Sequence, residues 1–495
     1  MPGPSVNQGM HEEVIHPVVE PSFDSHLQGL EDEELDDSES SPLLTALPPR
    51  PGEDEQSYRT RESSRTEQWL VYICFMGLGL GTLLPWNFFI TAESYWQYKF
   101  RNTTNATVAP MTVSSNTTTA ASAGVTEDLN PASQTELQLL YTPMLVCLSQ
   151  ITNLSCLVVN ALFSHKLPVR LRLVSTLIAM MVMFTVTTIL VEVNSDTWQL
   201  EFFIVTMFII VFLNSSGALF QGGLFGLAGM FPPCYMAAVV TGQALGGVFA
   251  AATRIFSLMA GADDITSAFI FFSIAVVVMT VTLGALFYLM RTDLYHDVLS
   301  MAEEKKTASR DETQPLNAGS MAAESRRVFC EIWPIGLAVT VVFWITLAVY
   351  PAVCVNITSV YSQSTTWASV YFQPVMTFLL FNVGDYVGRL LAGWLLWPRR
   401  GSRLVYAMVG ARVIFIPLLL MCNHPASDSI IPSLYSSDVA YFFIMLFFAL
   451  TNGYCGSICM IYGPKMVSNP DDAERAGSLM AAMLGLGLLG GAFFS

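Results

Sequence analysis

Apolar residues recur in long runs along most of the chain, beginning near Trp69. Each run reaches the length of about 20 residues that an α-helix needs to cross a bilayer. Eleven such segments are predicted, at 69–92, 138–163, 170–192, 201–228, 234–261, 266–290, 329–354, 366–396, 403–423, 436–462 and 476–495. The pattern therefore predicts an all-α polytopic membrane protein with about 11 transmembrane helices.

The polar stretches between these runs divide the chain. Residues 1–67 are rich in proline, serine and acids and poor in aromatics, so we expect a disordered acidic tail. Six predicted helices follow in residues 68–291, with a long outer loop at about 97–137. A polar linker at 292–328 separates them from five predicted helices in 329–495.

The distribution of basic residues predicts the orientation. They lie before the first segment and after the second, sixth and eighth, as Arg59, Arg61, Arg65, Lys166, Arg170, Arg172, Lys305, Lys306, Arg326, Arg327, Arg399, Arg400 and Arg403. Because basic loops stay in the cytoplasm, the N-terminus, the tail and the linker are predicted to be cytoplasmic. The N-x-[ST] glycosylation motifs agree, since they fall in loops on the opposite side, at Asn102, Asn105, Asn116 and Asn356.

Composition supports a membrane protein and narrows its chemistry. The chain is 53% hydrophobic and 13% charged, whereas soluble proteins carry about 25% charged residues. Most of the formal charge of −16 lies in the tail, and an acidic tail argues against nucleic acid as a partner. No ATP-binding, metal-binding or hydrolase motif is present in the sequence. We therefore expect no enzyme activity, no cofactor and no metal, and a lipid bilayer as the surroundings.

Two full charges inside the eighth segment are the sharpest chemical signal. A charge at the bilayer centre costs at least ~2.5–3.5 kcal/mol, and Asp385 and Arg389 stand four residues apart, where they share one helix face. Asn382 and Phe378 extend this face toward the preceding turns. The stripe is typical of a water-lined pathway or of an ion pair that only fixes helix packing. Arg412, deep in the ninth segment, also needs a partner.

A few other intramembrane residues suit a polar solute with a planar group. Gly77 and Gly81 in the first segment are expected to allow close helix packing. Trp86 offers a flat ring for stacking, although an interfacial or packing role is equally typical. Gln221 follows Gly217 by one turn, and its amide can both donate to and accept from a heterocyclic base. These groups suit binding and release, as in a secondary transporter or channel.

Five segments together resemble those of one family. They are "PWNFFI" at 85–90, "QGGLFGLAG" at 221–229, "YPAV" at 350–353, "FNVGDYVGR" at 381–389 and "TNGYCGS" at 451–457. In this order they resemble signature segments of the equilibrative nucleoside transporters (solute carrier family 29). The resemblance covers the whole membrane part of the chain.

The resemblance implies a fold, a function and a set of contacts. The fold would be a major-facilitator-like bundle of six plus five helices around a central cavity. The function would be facilitative transport of purine and pyrimidine nucleosides, with nucleobases left open, by alternating access. By motif match, the residues expected to contact the substrate are Leu83, Trp86, Gln221, Phe378, Asn382, Asp385 and Arg389. Gly217 is expected to allow close helix packing beside them.

One motif in the tail bears on location. "ESSPLL" places Glu39 four residues before Leu43 and Leu44. This acidic dileucine pattern resembles endosomal and lysosomal sorting signals, which clathrin adaptors bind, although a plain linker would also carry it. The expected location is a plasma membrane or an endosomal or lysosomal membrane.

Two further functions stay open on the same scaffold. A polyspecific carrier of organic cations or monoamines would use Asp385 to attract the amine. A proton-linked exporter of nucleosides from lysosomes would titrate Asp385, Glu93 or Glu331. A seven-helix receptor does not fit eleven segments.

Overall fold

The computed structural model describes residues 55–102, 135–163, 168–261, 263–300, 318–361, 365–423, 437–467 and 472–494. They form the helices α1 (Glu55–Thr91), α2 (Glu93–Lys99), α3 (Glu136–Phe163), α4 (Val169–Glu192), α5 (Gln199–Met230), α6 (Pro233–Ala260), α7 (Asp264–Leu289), α8 (Ala318–Val349), α9 (Leu380–Leu395), α10 (Arg403–Ala411), α11 (Phe415–Leu420), α12 (Asp438–Tyr462) and α13 (Ala473–Phe494). Asn105, Asn116, Glu39, Leu43 and Leu44 lie outside the described residues.

The membrane-spanning architecture follows the apolar pattern. Within the described ranges, ten helical spans are long and apolar enough to cross a membrane, and each overlaps one predicted segment. The remaining predicted segment, 69–92, lies in α1. The prediction of an all-α polytopic membrane protein is confirmed. The helices also extend beyond the predicted boundaries, because α1 begins at Glu55 and α8 at Ala318, inside the stretches assigned to tail and linker.

Two spans depart from a regular α-helix where proline removes a backbone donor. The span ending in α9 begins as wide π-helical turns, Trp367–Tyr371 and Gln373–Leu379, and the second of these contains Pro374. A tight 3₁₀ turn, Arg412–Ile414, separates α10 from α11, three residues before Pro417. The predicted helix 403–423 is therefore broken, and Arg412 lies at the break.

Taken in chain order, α1–α7 are here called the first helix group and α8–α13 the second, and helices of the two groups contact each other at several pairs. In the first group α1 packs on α6 and α7, α3 on α5, and α4 on α5 and α7. In the second, α9 packs on α12 and α8 on α13. The groups contact each other where α6 meets α9 and α12, and where α13 meets α3 and α5. The charged residues of α9 thus lie beside the boundary between the two groups.

Candidate substrate-binding site

The charged pair of α9 is buried and joined to the other helix group. Asp385 is 5% exposed and Arg389 8%. Arg389 Nε donates to Asp385 Oδ2 at 2.8 Å, so the ion pair expected from the four-residue spacing is present. Arg389 Nη1 donates to the backbone oxygen of Val240 on α6 at 2.9 Å. The guanidinium therefore connects the carboxylate to the helix across the boundary.

The other oxygen of Asp385 is held by an asparagine that sequence reasoning did not assign. Asn452 Nδ2 of α12 donates to Asp385 Oδ1 at 2.6 Å. On the far side of this amide, Asn452 Oδ1 lies 2.6 Å from Thr346 Oγ1 of α8 and accepts from Arg412 Nη2 at 3.3 Å. Asn452 lies in "TNGYCGS", so the motif contained it, but nothing in its spacing indicated its partners.

Glycines let α9 and α12 approach closely enough for this bond. A Cβ built on Gly453 would lie 2.0 Å from the backbone oxygen of Asp385, and one built on Gly388 would lie 2.2 Å from that of Leu450. Gly384 and Gly388 are four residues apart on α9, in the small-xxx-small spacing of close membrane helix pairs. Side chains at these positions would force the helices apart.

Asn382 and Phe378, the two residues of the predicted stripe that precede Asp385, contact different neighbours. Asn382 Nδ2 donates to the backbone oxygen of Phe378 at 2.9 Å. A Cβ on Gly247 of α6 would lie 2.0 Å from Asn382 Oδ1, so this asparagine packs directly on the other helix group. Phe378 lies edge-on to Tyr350, with ring centroids 6.1 Å apart, and Tyr350 stacks on Phe381 at 3.9 Å. Tyr350 belongs to "YPAV" and was not predicted as a contact.

The residues predicted on the first helix group lie on α1 and α5. Leu83 and Trp86 are half-buried, and Trp86 packs against the hydrophobic core. Gln221 is 4% exposed and makes no side-chain hydrogen bond within the part of the chain the structure describes. Its amide is thus unused by the described residues. Gly217 faces α4, where an added Cβ would make an ordinary 3.7 Å contact with Met180 Sδ.

Close packing of α1 on α6 uses a glycine other than the two expected. A Cβ on Gly79 would lie 2.1 Å from the backbone oxygen of Val239, whereas one on Gly77 would meet no atom of the described residues within 4 Å. At Gly81 the neighbour is Thr282 Cγ2 of α7, at a tight 3.0 Å, so Gly81 allows close packing as expected, but on α7. Glycines at alternate positions face different sides of a helix, so only the partner helix decides which one is needed.

Polar contacts also join the two groups at the end predicted to face the cytoplasm. Arg172, at the start of α4, donates to Glu474 Oε1 of α13 at 3.2 Å. Ser478 Oγ donates to the backbone oxygen of Gly222 at 3.1 Å. Beside them, Asn160 is 3% exposed, and neither polar atom of its amide has a hydrogen-bond partner among the described residues.

The predicted glycosylation sites that the structure describes are accessible. Asn102 and Asn356 are both exposed. Asn356 Nδ2 donates to the backbone oxygen of Ala352 at 3.0 Å, in the loop that follows α8.

Comparison with known proteins identifies the family. A family model described as "Nucleoside transporter" matches residues 207–495. Equilibrative nucleoside transporter 1 of Homo sapiens is 34% identical over 446 residues, which cover 86% of this chain and 96% of that protein. The chain belongs to the nucleoside transporter family. The resemblance drawn from the five sequence segments is confirmed.

Other members of this family and two solved structures complete the comparison. Equilibrative nucleoside transporter 3 of Rattus norvegicus is 29% identical over 430 residues, covering 84% of this chain and 86% of that protein. The major facilitator superfamily proton:xylose symporter XylE superposes with a TM-score of 0.54 at 10% identity, over 85% of this chain and 86% of that chain. The human organic anion transporter MFSD10 gives 0.51 at 13% identity, over 86% and 92%. These structures show that the fold is of the major facilitator type.

Proposed function

We propose that this multi-pass membrane protein is a facilitative carrier of purine and pyrimidine nucleosides, which it moves down their gradient by alternating access. The observation that carries the proposal is the buried Asp385–Arg389 pair at the boundary between the helix groups. Family membership supports the substrate class, and the neighbouring groups support the way in which it is bound.

The chemistry of the pair suits a ribose. A carboxylate has about four lone-pair sites, and Arg389 and Asn452 each occupy one. The remaining sites would accept hydrogen bonds from vicinal hydroxyls, and Arg389 would donate to ring or hydroxyl oxygens as a charge-assisted bond. An exchange of internal contacts for ligand contacts gives moderate affinity, which suits turnover.

The base would lie toward the first helix group. Gln221 is 4% exposed and its amide makes no hydrogen bond among the described residues, and an amide satisfies both a donor and an acceptor on a base edge. Trp86 and Phe378 supply flat rings for stacking. Leu83 and Asn382 would line the space between base and ribose. No covalent step is part of this function, so we place the protein among carriers and not among enzymes.

The competing cation-carrier function is not favoured by the charge balance. The network of Asp385, Arg389 and Arg412 contains two guanidiniums and one carboxylate. An amine would therefore enter a region of net positive charge. This arrangement favours a neutral, hydroxyl-rich solute.

Competition uptake tests the proposal directly. Purified protein in liposomes without any ion gradient is expected to take up labelled uridine and adenosine, and unlabelled nucleosides are expected to compete. Competition by monoamines but not by nucleosides would contradict it. If transport is proton-linked, uptake rises at acidic outer pH and the rise disappears in Asp385→Asn or Glu93→Gln; a flat pH profile indicates simple facilitated diffusion.

We further propose that the dileucine pattern of the tail directs the protein to endosomal or lysosomal membranes through clathrin adaptors. The paired substitution of Leu43 and Leu44 by alanine is expected to move the tagged protein to the plasma membrane. An unchanged distribution would assign this stretch to a plain linker.

A further inference from the structure

Arg412 is a fully internal cation that contacts no part of the predicted substrate stripe directly. It is 1% exposed, and it lies at the 3₁₀ break between α10 and α11. Its Nη1 donates to Thr451 Oγ1 at 2.6 Å and to the backbone oxygen of Phe448 at 3.1 Å. Its Nη2 donates to Thr346 Oγ1 at 2.8 Å and to Asn452 Oδ1 at 3.3 Å.

These bonds determine which way the Asn452 amide points. An asparagine amide has an acceptor end and a donor end. The guanidinium of Arg412 donates to the acceptor end, so the donor end faces Asp385, at 2.6 Å. In the flipped orientation the amide oxygen would face the carboxylate, which is repulsive, and the amide hydrogens would face a guanidinium.

We propose that Arg412 is a positioning residue for Asp385, acting through Asn452. It fixes the amide that occupies one carboxylate oxygen, and thereby sets which lone pairs of Asp385 face the solute. This inference rests on the proposed function, because the quantity it controls is the affinity for a hydroxyl-bearing solute. Since Arg412 is sealed from solvent, its effect on the solute is indirect.

The bonding pattern distinguishes positioning from packing. A cation needed only for helix packing would be satisfied by the nearest carbonyl and hydroxyl on α12, which Phe448 and Thr451 supply. The Nη2 contacts instead lead from the break to α8 and to the amide that bonds Asp385. Loss of the Nη2 hydrogen bonds would change the site without removing any residue that is expected to touch substrate.

Uridine uptake by proteoliposomes tests the inference, with KM and Vmax measured separately. Arg412→Met is expected to raise KM about tenfold, the factor for one lost charge-assisted bond, and Arg412→Lys is expected to restore part of this loss. Arg254→Met is the matched control: Arg254 is also an arginine within a membrane span, α6, and its hydrogen bond goes to Ser94 at 3.3 Å and not to Asp385, Asn452 or Thr346. It is expected to leave KM near the wild-type value.

A double substitution distinguishes action through Asn452 from a general effect. In an Asn452→Ala background, Arg412→Met is expected to change KM by less than about twofold, because the intermediary is already absent. If Arg412→Met does not fold, Thr346→Val replaces it, since it removes the hydroxyl that lies against both Arg412 and Asn452. Additive effects, or a KM equal to that of Arg254→Met, would overturn the inference. Absence of nucleoside uptake by the wild-type protein would refute the proposed function instead.

Discussion

The substitution Gly453→Ala tests whether close packing of α9 on α12 maintains the site. A Cβ at this position would lie 2.0 Å from the backbone oxygen of Asp385 and 2.9 Å from the backbone nitrogen of Arg389. A carbon and a carbonyl oxygen normally approach no closer than about 3.3 Å, so the helices must separate locally by about 1.3 Å. The bond from Asn452 to Asp385, now 2.6 Å, would lengthen to about 3.9 Å, beyond hydrogen-bond distance.

The loss can be given a magnitude and a control. A hydrogen bond to a charged group contributes about 1.5–3 kcal/mol, which corresponds to at least about a tenfold rise in the KM for uridine. The thermal midpoint of the purified protein should also fall. Gly410→Ala is the matched control, because a Cβ there would meet no atom of the described residues within 4 Å. A wild-type KM and midpoint for Gly453→Ala would refute the argument that this crossing holds the site together.

Three further outcomes follow from individual contacts. Arg389→Lys is expected to lower the free energy of unfolding by about 1–3 kcal/mol, measured by thermal unfolding in detergent. The reason is that one ammonium cannot reproduce the planar guanidinium bridge from Asp385 to the Val240 oxygen. Unchanged stability would mean that the bridge is energetically neutral. Asn160→Leu is expected to raise the thermal midpoint, because it replaces a buried amide that has no partner among the described residues by an apolar group of similar size. A lower midpoint would contradict this expectation. Asn356→Gln is expected to remove one glycosidase-sensitive shift in gel mobility, since Asn356 is exposed; an unchanged pattern would contradict its use.

The membrane architecture could be predicted because its signal is local. The length and hydrophobicity of a segment decide whether it can cross the bilayer as a helix, and both can be read without knowing any tertiary contact. The pairing of Asp385 with Arg389 was predictable for the same reason, since a four-residue separation places both on one helix face.

The partners of that pair could not be predicted, because they come from distant parts of the chain and carry no charge signal. Asn452 is 67 residues from Asp385, and Thr346 is 106 residues from Asn452. Burying a neutral asparagine in an apolar run costs less free energy than burying a charge, so the sequence pattern gives no reason to expect a particular partner for it. Arg412 was recognised as needing a partner, but the break that positions it arises from Pro417, whose effect on backbone geometry depends on the tertiary setting.

Which glycine of α1 contacts a neighbouring helix could not be predicted from the sequence either. "GLGLG" places glycines on several faces of one helix, and composition does not reveal which face meets a neighbour. The structure selects Gly79 for the contact with α6, through the backbone of Val239.

Counterflow in proteoliposomes tests the central claim most directly. Vesicles are loaded with unlabelled uridine and diluted into a trace of labelled uridine, with no gradient of any ion. A facilitative carrier that alternates access predicts a transient accumulation of label inside above its final level, and this overshoot should be lost in Asp385→Asn. Monotonic equilibration of the label, or an overshoot of full size in Asp385→Asn, would contradict a carrier whose solute binds at the Asp385–Arg389 pair.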